Sequence, residues 1–228
     1  MLKVMRVAEG LSWSLVVPVK TLAAAKTRLA AAAGPHRRAL AVAVACDTVA
    51  AALVTPRVAR VLAVTADPAV AGPLAEVGAR VVDDPLGGLN AALRRGAAEA
   101  VRLAPGDAVG ALQADLPALR PAELDRVLTA AGEFEQSFLA DAAEVGTTFY
   151  GTLPGTPFTP GFGGESRARH LGRGAKEITL DGVPSVRRDV DTPADLEAAL
   201  ALGVGPRTAA VAARILADGS LPGSTRAG

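Results

Sequence analysis

The sequence predicts an α/β fold: a single domain on a mixed, mainly parallel sheet with helices on both faces. Three observations predict it. Short β-rich runs alternate with helical runs from residue 14 to residue 132. Proline, aspartate and glycine stand where helix starts and stops are expected. After residue 133 the rhythm changes and two strand-like runs lie close in sequence, which suits a mixed rather than wholly parallel sheet.

The elements follow in order. SLVVPV (14–19) reads as a first, fully buried strand. RRALAVAVACDTVAAAL (37–53) is a helix. RVLAVTA (60–66) is a strand, and DPAVAGPLAEVG (67–78) a helix begun by Asp67-Pro68 and closed by Gly78. ARVVDD (79–84) is a short strand, and LNAALRRGAAEAVRL (89–103) a helix with arginines on one face. DAVGALQAD (107–115) is a strand, and PAELDRVLTAAG (121–132) a proline-started helix. QSFLADA and TTFYGTL (136–142 and 147–153) are strands. The loop PGTPFTPGFGGES (154–166) leads into a short helix. VPSVRRDVD (183–191) alternates like a strand, which would put Asp189 and Asp191 on one face. Thr192-Pro193-Ala194-Asp195 reads as a helix start, with a hydroxyl N-cap, proline at the first position and an acid at N3. PADLEAALAL and GPRTAAVAARIL are closing helices.

The length of 228 residues suits one domain at 12–217, with a flexible extension at 1–11 and a disordered tail at 218–228. A net charge of +1 supplies no basic field for nucleic acid. The single Cys46 excludes an intrachain disulfide and fits a reducing cytoplasm. The most apolar run (39–54) is interrupted by Asp47 and Thr48 and is shorter than a membrane span. The expectation is a soluble, cytoplasmic protein without membrane or nucleic-acid partners.

Ligands of open α/β sheets bind at the carboxyl ends of the strands. The first strand exits into PVKTLAAAKTRL, which carries Lys20, Lys26 and Arg28; two of the four lysines fall there, where flexible cations suit phosphate oxygens. The third strand exits into DDPLGGLN, whose paired glycines precede a helix. The fourth ends in Asp115. Three carboxylates, Asp115, Asp189 and Asp191, suit a hard cation with oxygen ligands, Mg²⁺ in particular. Lysines at one strand end and acids at two others describe phosphoryl or nucleotidyl transfer. A G-x-G-x-x-G after the first strand, a G-x-x-x-x-G-K-[ST] and a G-x-S-x-G are all missing. A dinucleotide-binding dehydrogenase, a P-loop NTPase and a nucleophile-elbow hydrolase are therefore disfavoured. With only His36 and His170, so is a histidine-based metal site.

Four motifs stand in register: PVKTLAAAKTRL, LQADLPAL, GTTFY with GFGGESRARH, and RDVDTPADL. In these the chain resembles the guanylyltransferases that supply the phospholactyl or enolpyruvyl unit of the deazaflavin coenzyme F-420, above all the actinobacterial ones acting on phosphoenolpyruvate. The likeness runs from about residue 15 to 207. It implies the nucleotide-diphospho-sugar transferase-like (Rossmann-like) fold. It implies GTP and phosphoenolpyruvate as substrates, Mg²⁺ as cofactor, and a transient contact with the downstream transferase that takes the product. Thr148, Gly163 and Ser166 fall where the family binds phosphoenolpyruvate. Asp115 and Asp189 fall where it holds Mg²⁺, with Asp191 close by. Lys20, Lys26 and Arg28 would meet the GTP phosphates, and the Asp84 to Asn90 segment the guanosine. Lys26, Asp115 and Asp189 are the expected catalytic residues.

In GFGGESRARH, a glycine-rich turn entering a helix at Glu165-Ser166 is expected to offer free N–H groups and a hydroxyl to an anion. Ser166, Arg169 and His170 share one helical face by spacing. Ala114 replaces a glycine usual in the family, which matters only where the backbone needs positive φ or touches the nucleotide. Alternatives of the same reaction class are 2-phospho-L-lactate or 3-phosphoglycerate as acceptor, or a nucleotide sugar as product. A non-catalytic nucleotide-binding protein on the same fold is a third reading.

Overall fold

The computed structural model describes residues 10–21 and 33–218. Seven strands form one sheet in the order β3-β2-β1-β4-β6-β5-β7. They are β1 (Trp13–Pro18), β2 (Val58–Thr65), β3 (Arg80–Asp83), β4 (Ala108–Leu112), β5 (Gln136–Ala140), β6 (Thr147–Thr152) and β7 (Lys176–Glu177). Strands β1 to β4 are parallel, and β6 runs antiparallel to both β4 and β5. The expected mixed, mainly parallel sheet is therefore present, with β6 as its antiparallel strand. The helices are α1 (Arg37–Leu53), α2 (Pro68–Glu76), α3 (Leu89–Leu103), α4 (Pro121–Ala131), α5 (Ser166–Gly172), α6 (Pro184–Arg187), α7 (Pro193–Leu202) and α8 (Pro206–Ala217).

Strand alternation builds the two core layers. On β1, Leu15 and Val17 join Val49 of α1, Leu74 of α2 and Leu128 of α4 on one face. Val16 points the other way, onto Leu93 and Ala97 of α3. With few aromatic residues, this core depends on close backbone approach. At Gly96 on α3 an added Cβ would fall inside Val16 and Val64. An alanine there would cost roughly 1–3 kcal/mol of overpacking. A third, smaller cluster packs Leu40 and Val44 of α1 against Leu196 of α7 and Ile215 of α8. Asp47 closes that joint: its carboxylate accepts from the backbone N–H groups of Arg207 and Thr208 at 3.3 and 2.7 Å, satisfying the first turn of α8. Cys46 is buried in the main core, as a small packing residue.

Two helix starts form as their sequences imply. Asp67 caps α2 by accepting from the N–H of Ala69. Thr192 and Asp195 form a reciprocal capping box at the head of α7.

One expectation fails. VPSVRRDVD is not a strand: Pro184–Arg187 form the short helix α6, and residues 188–191 belong to no sheet. Pro184 occupies the first helical turn. The backbone N–H and hydroxyl of Ser185 both donate to buried Glu123, at 2.9 and 2.8 Å. Val183, Ser185, Val186 and Val190 are the buried residues of the stretch, a pattern that does not alternate with period two. Strand pleating therefore does not put Asp189 and Asp191 on one face.

Candidate active site

The sheet reverses its direction of growth between β1 and β4, the place where an open α/β sheet leaves a crevice. Because β6 is antiparallel to β4, its first residues lie at that same edge. The N–H of Gln113, just beyond β4, donates to the carbonyl of Thr148 at 2.9 Å. Three strand ends and the chain from 188 to 191 thus converge.

Asp115 and Asp189 are brought together by backbone. The N–H of Val190 donates to the carbonyl of Asp115 at 3.0 Å, so the two segments run side by side. The loop carrying Asp115 is fixed from below by Thr48 of α1, whose hydroxyl accepts from the N–H of Leu116 at 3.1 Å while donating to Val44. The segment carrying Asp189 is held by Arg187, which donates to the carbonyls of Ala140 and Ile178. Burial pushes the Asp189 carboxyl up to about 7, and the charges of Asp115, Asp141 and Asp191 push the same way. Asp141, in the β5–β6 turn, accepts from the N–H groups of Val145 and Gly146.

That concentration of negative charge is the physical signature of a place for a cation, and carboxylate oxygens fit a hard divalent ion. Among the described residues no three His, Cys, Asp or Glu side chains cluster closely enough to hold a metal by themselves. The chemistry of Asp115 and Asp189 fits a divalent cation that draws part of its oxygen ligands from outside the protein. Asp191 is exposed, and its backbone N–H donates to Asp195.

A cleft of about 260 Å³ opens at the ends of β1 and β3 and brings Lys20 and Asp84 together with Leu86, Gly88 and Leu89. Asp84 accepts from the N–H of Leu86, which helps hold Leu86 at a φ of +60°. Lys26 and Arg28 lie outside the described residues. Asn90 is not turned into this cleft as expected. Its amide makes two bonds to the backbone of Phe162, accepting from N–H at 2.9 Å and donating to C=O at 3.0 Å. Ala114 takes no positive φ, a conformation that only Leu86 and Glu144 show among the described non-glycine residues. An alanine there is unstrained.

Thr148 and Ser166 are buried, and Gly163 stands on the exposed loop before α5 with a φ of +102°. The hydroxyl of Thr148 is buried without a hydrogen-bond partner. The expected free N–H groups at the α5 start are partly spent: Ser166 donates to Gly164 and Arg167 to Val145. Ser166, Arg169 and His170 do not act on one face either. Arg169 turns back to donate to the carbonyls of Gly161 and Gly163. Ser166 and His170 turn inward and meet at Thr147.

His170 is fully buried, and burial, with Arg173 and Arg169 nearby, pulls its imidazole down to about 4 from 6.5. A histidine pKa lowered on folding makes stability complete above 6.5. Stability is then lost as pH falls from 6.5 toward 4, because only the unfolded chain takes up the proton there. The full effect is at most roughly 3 kcal/mol. Thermal melts between pH 7 and 4.5 are expected to show a steeper acid loss for wild type than for His170→Gln. Equal slopes would contradict this assignment.

Sequence reasoning missed Thr48, Thr147, Asp141 and Arg187. Thr48 carried a signal, as half of a polar pair inside an apolar helix. The others are set by tertiary contacts that no local pattern announces.

A family model described as guanylyl transferase CofC like matches residues 13–211. The chain is 75% identical over 215 residues to the phosphoenolpyruvate guanylyltransferase of Streptosporangium roseum, covering 94% of this chain and 97% of that one. It is 63% identical over 206 residues to the protein of the same name from Thermomonospora curvata, covering 90% of each. In fold it is similar to a crystal structure of a putative nucleotide-diphospho-sugar transferase from Desulfovibrio desulfuricans G20. The TM-score there is 0.69 at 13% identity, over 92% of this chain and 97% of that one. The chain belongs to the CofC-like guanylyl transferases, nucleotidyltransferase enzymes on the nucleotide-diphospho-sugar transferase fold.

Proposed function

We propose that this guanylyl transferase joins the GMP part of GTP to phosphoenolpyruvate, giving enolpyruvyl-diphospho-guanosine and pyrophosphate for coenzyme F-420 biosynthesis. The observation that carries the reading is the pairing of Asp115 and Asp189 at the crevice between β1 and β4, beside the unspent hydroxyl of Thr148. The two relatives' shared name supports phosphoenolpyruvate as the acceptor.

The phosphate of phosphoenolpyruvate attacks the α-phosphorus of GTP. A new P–O–P bond forms, the bond from the α-phosphorus to the α,β-bridging oxygen breaks, and pyrophosphate leaves with that electron pair. The nucleophile is already anionic at neutral pH, so the chain needs no general base. Its task is placement and charge neutralisation. Lys20, with Lys26 and Arg28 on the same segment, neutralises the leaving pyrophosphate. Asp84 lies in the cleft that takes the guanosine. Thr148 offers its hydroxyl and Gly163 its backbone N–H to the acceptor, and Ser166, whose hydroxyl donates to Thr147, lines the same corner. Asp115 and Asp189 would hold Mg²⁺. When bound, that ion would supply Lewis-acid stabilisation of the phosphate oxygens.

The test is pyrophosphate release in Mg²⁺ buffer with GTP, ATP or CTP. Each is paired with phosphoenolpyruvate, 2-phospho-L-lactate or 3-phosphoglycerate. GTP with phosphoenolpyruvate is expected to exceed every other pair by at least roughly tenfold in kcat/KM. A faster rate with another acceptor would move the substrate. No release with GTP and any of the three would sink the reading.

A further inference from the structure

The loop at 161–163 is held by side chains on three sides. Gly161 donates its N–H to His170 Nε2 at 2.9 Å. The carbonyls of Gly161 and Gly163 accept from Arg169, at 2.6 and 2.7 Å. Both backbone groups of Phe162 are taken by Asn90. Of the polar backbone groups in these three residues, only the N–H of Gly163 is left unspent among the described residues. A loop so fully bonded within the protein, yet open at one amide, is built to present that amide.

The bonding also fixes the tautomer of His170 and the orientation of the Asn90 amide. A backbone N–H only donates, so His170 Nε2 must carry the lone pair and the neutral ring its proton on Nδ1. That proton is donated to Thr147 Oγ1 at 3.0 Å, and Ser166 Oγ donates to the same oxygen at 3.1 Å. One ring therefore ties the glycine loop to Ser166 and to the residue beside Thr148. It is clamped in turn by aromatic neighbours, stacked on Tyr150 at 4.8 Å and contacting Phe138 and Phe162 at 5.4 Å. By the same logic the Asn90 oxygen faces the Phe162 N–H and its nitrogen the Phe162 carbonyl. Asn90 sits in the first turn of α3, whose Leu89 lines the nucleotide cleft.

We propose that His170, as its Nδ1–H tautomer, and Asn90 are positioning residues of the acceptor site. They hold Gly163, Ser166 and the Thr147–Thr148 strand end in register with the nucleotide cleft. The inference rests on the reading that this corner takes the phosphorylated three-carbon acid. Neither residue touches a reacting atom, so loss of either loosens the acceptor and spares the nucleotide.

His170→Asn keeps an amide near the Nδ1 position and gives up Gly161. His170→Gln reaches Gly161 and gives up Thr147. Asn90→Ala releases Phe162. Each is expected to raise the KM for phosphoenolpyruvate by about ten- to a hundredfold while the KM for GTP stays within about twofold. A rise in the KM for GTP with the acceptor KM unchanged would overturn the proposal for that residue. Wild-type turnover measured alongside separates the two layers: a wild type inert toward phosphoenolpyruvate condemns the acceptor reading, not the positioning roles. A second measurement needs no variant of the buried ring. In ¹⁵N-histidine-labelled wild type only His36 and His170 contribute, and His36→Gln assigns them. The His170 signal is expected as the Nδ1–H tautomer at neutral pH. An Nε2–H tautomer, or rapid exchange between the two, would overturn the assignment.

Discussion

Asp189→Asn is expected to lower guanylyl-transfer turnover by about 100- to 1,000-fold while leaving the metal-free protein as stable as wild type, or more so. Both halves follow from one cause. Asp189 is partly buried and faces the charges of Asp115, Asp141 and Asp191, so its carboxyl is pushed up to about 7. That position costs the fold and is relieved by a cation. Asparagine keeps the shape, removes the charge and ends the repulsion. The melting temperature in chelator should therefore hold or rise as activity disappears. Wild-type rates in the variant would remove Asp189 from the metal. An unfolded variant would show that its carboxylate is structural.

Asp115→Asn is expected to cost about as much turnover, and the double variant little more than either single one. The segments that carry them are joined by the Val190–Asp115 backbone bond, and in the proposed site the two carboxylates act as a unit on one charge. Independent roles would instead multiply the losses, so an Asp115→Asn/Asp189→Asn rate near the product of the two single effects would contradict the shared site. Loss of Asp115 also removes one of the charges that push Asp189 up. In that variant the Asp189 carboxyl should ionise more easily, which carboxyl-region NMR titration would detect.

Much of this site was legible because its backbone obeys local rules. Apolar runs of strand length fixed β1, β2 and β4, and the strand-to-helix rhythm put their carboxyl ends on one edge. Asp115 could be placed from that alone. The head of α7 was equally legible, since Thr192 and Asp195 satisfy each other within four residues. Asp189 was found for an incomplete reason: its segment alternates like a strand, but Glu123, sixty-two residues away in sequence from Ser185, folds it into a helical turn. The resemblance assigns Asn90 to the guanosine with the rest of the Asp84 to Asn90 segment, whose Asp84, Leu86, Gly88 and Leu89 line the cleft. The Asn90 amide reaches seventy-two residues along the chain to Phe162, a contact no spacing rule contains. Thr48 illustrates the same limit. Its polarity within an apolar helix is visible in the sequence, while its use in holding the loop of Asp115 depends on Leu116, sixty-eight residues on, reaching α1.

The most direct test of the account is the identity of the product. Purified chain, GTP, Mg²⁺ and phosphoenolpyruvate should yield, by mass spectrometry, one new species equal to guanosine joined through a diphosphate to enolpyruvate. Inorganic pyrophosphate should appear in equal amount, and with Asp189→Asn both should form at least about 100-fold more slowly. GDP and inorganic phosphate in place of those products would mean attack at the γ-phosphorus, and would contradict the transfer chemistry assigned to this site.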